Sequence, residues 1–204
     1  MSEASRRVTV RRAIAGAVAG TIVLILSGAS ATASARECQG VKFDDHVQVL
    51  GQTLMLNGLG IRKATIFKVK VYVGALYLMK PSGDAHVIID SAEPSELVLQ
   101  FVRGVSAGDL RGAWQEGFEK TAPNASPALK QSIALLTGWM TDMKAGERMV
   151  FTRMPGKGTQ LDIGGSPKGT ILGDDFGRAL WAIWFGAQPP NPELKSGLLG
   201  GACD

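Results

Sequence analysis

Arg62 and Tyr72 are the side chains whose types and placement best suit chemistry. Both belong to the stretch NGLGIRKATIFKVKVYVGALYL, residues 57–78. It reads as a Gly-bounded turn carrying Arg62, followed by one long strand. Val69, Val71, Val73, Ala75 and Tyr77 alternate with Lys68, Lys70, Tyr72, Gly74 and Leu76, which is period-two patterning. One face is apolar throughout; the other begins cationic and turns apolar past Tyr72. In a strand that starts near Arg62 and has no bulge, Arg62 and Tyr72 share that second face. A guanidinium and a phenol opening onto an apolar surface suit a small organic anion. The same pattern also fits a solvated arginine and a tyrosine at the sheet rim, so by itself it leaves both readings open.

Other chemistries lack their residues. His46 and His86 are the only histidines and no Cys/His cluster accompanies them, so no metal site is expected. There is no G-x-S-x-G elbow. Gly156-Lys157-Gly158-Thr159 lacks the first glycine of a phosphate-binding loop, and Gly58-Leu59-Gly60 is not a dinucleotide fingerprint. Asp174-Asp175 is a carboxylate pair at a helix start, where capping and the helix dipole explain it. No cofactor is implied.

The first residues read as an address. Arg6, Arg7, Arg11 and Arg12 precede the apolar run AIAGAVAGTIVLIL, and two A-x-A sites follow, ending at Ala33 and Ala35. This is the pattern of a secretory signal peptide over residues 1–35, with cleavage expected after Ala35 and a single domain over 36–204. The alternative, a retained anchor, has an apolar run that is short for a span. Removing four Arg and one Glu from totals of 22 Lys+Arg and 18 Asp+Glu leaves 18 against 17, so the net charge falls from +4 to +1. The basic balance belongs largely to the leader and is no evidence for nucleic-acid or membrane-surface binding by the mature domain. Cys38 and Cys203 lie just inside the two ends of that domain. In an exported protein such a pair reads as a disulfide, stabilising by about 4–5 kcal/mol on the chain-entropy model. A periplasmic or secreted location follows.

The elements that must position Arg62 and Tyr72 come in the order strands, helices, strands, helix. VKF and VQVL near the start are short edge strands. His86–Asp90 is a short run of one or two helical turns, and ELVLQFVR (96–103) is a strand. Ser106 and Asp109 stand at capping-box spacing before a helix with Leu110, Ala113, Trp114, Gly117 and Phe118 at helical intervals. Ser126-Pro127 opens another helix, with a stripe of Leu129, Ile133, Leu136, Met140 and Met143 that predicts a helix lasting until Lys144-Ala145-Gly146. Strands over 147–154 and 159–163 and a hairpin at Gly164-Gly165-Ser166 follow. A last main helix, Phe176–Phe185, is apolar around most of its circumference and is expected to be deeply buried. This is an α+β order with an antiparallel sheet and segregated helices.

Several of these stretches resemble the chalcone isomerase family. They are NGLGIR, KVYVGALYL, FVRGVSAGDLRGAWQEGFEK and KGTILGDDFGRALWAIWFG, and the likeness to exported bacterial chalcone isomerase-like proteins runs from about Cys38 to Cys203. The resemblance implies an open-faced β-sandwich, in which an antiparallel sheet carries helices on one side and the ligand cleft lies between them. In the isomerases the turn arginine favours a phenolate, a strand threonine polarises the ketone, and a tyrosine, a lysine and an asparagine from a later helix complete the cleft. Arg62 matches the arginine. The threonine position falls on Tyr72, and the helix positions on Leu110, Ala113 and Gly117, whose side chains donate no hydrogen bond. A second branch binds fatty acids through the turn arginine and a strand tyrosine, a pattern that Arg62 and Tyr72 fit.

Three readings remain. The first is an exported, non-catalytic binder of a fatty acid or similar small amphipathic carboxylate, held by Arg62 and Tyr72. The second is an intramolecular lyase acting on a phenolic or enone substrate such as a chalcone, with the same two residues catalytic. The third is a protein-interaction domain whose cleft is filled by Trp114 and Phe118.

Overall fold

The computed structural model describes residues 34–65 and 67–203. The predicted leader, apart from Ser34 and Ala35, therefore lies outside the described residues. Nine strands and five helices follow one another as β1 (Ala35–Cys38), β2 (Val41–Asp44), β3 (His46–Val49), β4 (Gln52–Ala64), β5 (Val69–Leu78), α1 (Ala85–Asp90), β6 (Ser95–Phe101), α2 (Ala107–Thr121), α3 (Pro127–Gly138), β7 (Arg148–Met154), β8 (Gly158–Ile163), β9 (Ser166–Ile171), α4 (Asp174–Phe185) and α5 (Pro192–Leu198). Strands β3 to β9 form one seven-stranded sheet in sequence order, and β1 pairs with β2 separately. Every pairing is antiparallel.

Alternation along each strand divides the interior in two. Leu76, Leu97, Leu99, Phe101, Phe151 and Leu161 turn to one face and pack beneath the helices. Val73, Ala75, Tyr77 and Val98 turn to the other and pack with Cys38, Val41 and Phe43 of the β1–β2 hairpin. Helix α4 lies in the first cluster, with Phe176, Leu180, Trp181, Trp184 and Phe185 all buried, as its all-round apolar sequence requires. Ser106 caps α2 by accepting from the Asp109 amide, and Ser126 caps α3 by accepting from the Leu129 amide. Cys38 and Cys203 form a disulfide, with Cα atoms 5.9 Å apart, that ties the hairpin to the C-terminal end. No helix among the described residues is long and apolar enough to cross a membrane.

Three local readings need correcting. Asn57–Gly60 is not a turn but the middle of β4. Its glycines are there because α5 presses on the strand. A Cβ on Gly58 would enter the carbonyl oxygens of Gly197 and Leu198, and one on Gly60 that of Leu194. The Arg62–Leu78 strand is likewise two strands, β4 and β5, between which Thr65 and Lys68 take φ of 62° and 50° without any Gly or Pro in the connection. Helix α3 also ends earlier than its stripe predicts, at Gly138. Met140 and Met143 are buried by the connection that follows, where Met143 and Val105 exchange two backbone hydrogen bonds of 2.9 Å.

Candidate functional site

Arg62 and Tyr72 do come to one face, by a different route from the one the alternation predicts. They are opposite each other across the β4–β5 ladder, at the position where its register shifts. The shift leaves Val71 unpaired, and Val71 joins Tyr72 on the helix side of the sheet. Arg62 is half-buried at the end of β4, with one guanidinium nitrogen donating to the Lys63 carbonyl. Among the described residues no carboxylate lies within ion-pair distance of it.

These two residues open onto a cavity of about 470 Å³ between sheet and helices. Leu99 and Phe101 of β6, Trp114 of α2 and Ile183 and Trp184 of α4 give it apolar walls. Leu110, Ala113 and Gly117 line it from α2, so all three helix positions assigned by resemblance face the cavity. None of the three brings a polar side chain. Trp114 is a wall and Phe118 a core residue, and neither fills the space.

Polar groups converge on Tyr72. The Trp184 indole N–H donates to the Tyr72 hydroxyl oxygen at 3.0 Å. Burial pushes the phenol up to about 12, while the Trp184 hydrogen bond and the field of Arg62 pull the other way. Tyr72 is therefore a protonated donor at neutral pH. With the indole taking one lone pair, its own O–H is available to a ligand. Trp184 is held in turn by edge-on contact with Trp114, ring centroids 5.7 Å apart.

The lining also contains polar and charged residues that the sequence did not assign to a site: Arg103, Asp109 (read there as a helix cap), Glu116, Lys120 and Gln188. Glu116 and Lys120 are an i,i+4 ion pair on α2. Lys120 holds the Glu116 carboxyl below its ordinary range, first by a hydrogen bond and then by its charge, and Arg62 adds to the effect. Their spacing from Ala113 and Gly117 was the available clue, since all four recur along one side of the helix. Among the described residues no group of three His, Cys, Asp or Glu side chains is placed to hold a metal ion.

The family model for chalcone isomerase-like proteins matches residues 35–200. The chain belongs to this family. Its fold is shared by a fatty-acid binding protein of Arabidopsis thaliana, which matches with a TM-score of 0.63 at 17% identity, covering 79% of this chain and 92% of that one. At that identity the likeness establishes the chalcone isomerase-like fold alone. No curated protein matches the sequence closely.

Proposed function

We propose that this chalcone isomerase-like protein is a non-catalytic binder of a small amphipathic acid, with a long-chain fatty acid as the leading ligand. One observation carries the reading. A half-buried guanidinium and a protonated phenol stand opposite each other at a cavity whose other walls are mostly apolar. The carboxylate accepts from Arg62 and from Tyr72, and the alkyl chain lies against Leu99, Phe101, Trp114 and Ile183. A volume of about 470 Å³ is within the range of small-molecule sites. The relative in Arabidopsis thaliana, described as a fatty-acid binding protein, supports the choice of ligand.

Isothermal titration of the protein with a long-chain fatty acid tests this. A charge-assisted hydrogen bond contributes about 1.5–3 kcal/mol. Arg62→Ala is thus expected to weaken binding by roughly 10- to 150-fold while leaving the fold intact. Unchanged affinity would remove Arg62 from the site.

The second reading, an intramolecular lyase on a phenolic or enone substrate, draws on Glu116, a carboxylate in the same cavity as Arg62. Two features weigh against it. Glu116 is held ionised by Lys120 and is a weak base, and Tyr72 with its raised pKa stays protonated at neutral pH, so it is no base and a poor general acid. Acceleration of chalcone cyclisation by the purified protein, lost in Glu116→Gln, would reverse this ranking.

Export of the domain is part of the same proposal. The leader pattern and the Cys38–Cys203 disulfide both support an oxidising compartment, periplasmic or extracellular. Cleavage is expected after Ala35, with the site ending at Ala33 as the alternative. Ala35 pairs with Asp44 in β1–β2, and the Ser34 carbonyl accepts from the Asp45 amide at 2.9 Å. Cleavage after Ala33 keeps these bonds and cleavage after Ala35 loses them, and N-terminal sequencing of exported protein, beginning at Ser34 or at Arg36, tells the two apart.

A further inference from the structure

The tip of the β4–β5 hairpin combines an exposed aromatic ring with a run of cations. Phe67 is 82% exposed, the most exposed large hydrophobic side chain among the described residues. Around it stand Lys63 at the end of β4, Lys68 in the turn and Lys70 at the start of β5. None of the three lysines belongs to an ion pair among the described residues. Lys70 reaches only the neutral Gln39 side chain. The Glu193 carboxyl, at the start of α5, is held below its ordinary range first by a backbone hydrogen bond and by Asn191, and then by the charges of Lys68 and Lys63.

The backbone makes this display at some cost. Thr65 and Lys68 both occupy the left-handed region, where a residue with a Cβ is disfavoured and glycine or asparagine is the usual choice. The tip also adjoins the cavity. Ala64 and Thr65 are among its lining residues, and the Phe67 amide donates to the Thr65 hydroxyl at 3.3 Å.

We propose that this tip docks the protein on an anionic lipid surface, with Phe67 entering the interface and Lys63, Lys68 and Lys70 drawn to acidic headgroups. The arrangement is that of an interfacial anchor, an aromatic ring ringed by cations. It brings the part of the cavity lined by Ala64 and Thr65 close to the bilayer, the phase in which an amphipathic acid is most concentrated. Transfer of such an acid rests on the binder reading; the docking itself does not.

Phe67→Trp in the full chain, mixed with vesicles carrying brominated acyl chains, reads the contact at that residue when the signal of the unsubstituted protein, with its four native tryptophans, is subtracted, because bromine quenches only at short range. Leu172→Trp is the control, since Leu172 is also exposed (74%) but follows β9, at the far edge of the sheet. With phosphatidylglycerol in the vesicles, the emission at residue 67 is expected to shift to the blue and be quenched. Pure phosphatidylcholine vesicles are expected to give a much weaker effect, and residue 172 none. Adding Lys68→Gln and Lys70→Gln to Phe67→Trp raises the lipid concentration needed by roughly 25-fold, at about fivefold per lysine. Absence of quenching at residue 67 on anionic vesicles, or equal quenching at residues 67 and 172, would overturn the proposal. Soluble fatty-acid affinity, measured in parallel, separates the two claims: Lys68→Gln and Lys70→Gln leave it unchanged if the tip acts only in docking.

Discussion

Tyr72→Phe separates a ligand-binding tyrosine from a structural one, because the same hydroxyl serves two partners. Toward the ligand it offers a hydrogen bond to a carboxylate, worth about 1.5–3 kcal/mol, so its removal lowers affinity roughly 10- to 150-fold. Toward the protein it accepts the Trp184 indole N–H at 3.0 Å. Trp184 is 1% exposed, and without the hydroxyl its N–H has no partner. A buried, unsatisfied donor costs about 1–3 kcal/mol. In a chain of this size that lowers the melting temperature by about 2–12 °C. The ring itself stays, packed on Phe101 with centroids 5.7 Å apart, so no cavity is created. Thermal unfolding of the ligand-free protein and calorimetric titration with a fatty acid read the two effects independently. Both are expected to fall. A lower melting temperature with unchanged affinity would show that Tyr72 serves Trp184 and not a ligand.

Three further outcomes follow from the packing and electrostatics. Gly60→Ala drives a Cβ into the Leu194 carbonyl of α5 and is expected to destabilise by about 3 kcal/mol or more, read by denaturant unfolding; a neutral result would show that α5 does not pack on β4 as described. Reducing the Cys38–Cys203 disulfide, which spans 165 residues, is expected to cost about 5 kcal/mol in the chain-entropy model, seen as a lower unfolding midpoint in reductant. Tyr72 and Tyr77 are the only tyrosines, and burial raises both. Native protein should therefore show no phenolate absorbance until pH nears about 12, whereas the unfolded chain titrates near 10.0. Because these folded-state values lie above the unfolded ones, their contribution to stability is complete below pH 10.0 and is lost as pH rises toward 12. Titration of phenolate near 10.0 in folded protein would contradict the burial.

Much of the fold was legible because local signals and tertiary demands agree. Ser106 and Ser126 cap the helices they precede, and the all-round apolar sequence of α4 places it under the sheet. The failures share a cause: a residue chosen for a distant neighbour looks locally like something else. Gly58 and Gly60 read as turn residues, yet their missing side chains make room for α5, more than a hundred residues on. The true turn hid because it contains no glycine; Thr65 and Lys68 adopt positive φ instead. Met140 and Met143 kept helical spacing beyond the helix because the following connection buries them too. At the site, Arg62 and Tyr72 were visible from their types. Trp184 was not, since nothing in an apolar helix says which indole meets a phenol on β5. Arg103, Glu116 and Lys120 were hidden for the same reason, as ordinary charges on strand and helix ends until the fold closes a cavity around them.

The central claim is that Arg62 anchors an amphipathic acid in this cavity. Native mass spectrometry of the purified protein, equilibrated with a long-chain fatty acid and followed by denaturing extraction, tests it most directly. The expected result is one fatty acid per chain, lost in Arg62→Ala. An empty wild-type protein, or an Arg62→Ala variant carrying the same load, would contradict it.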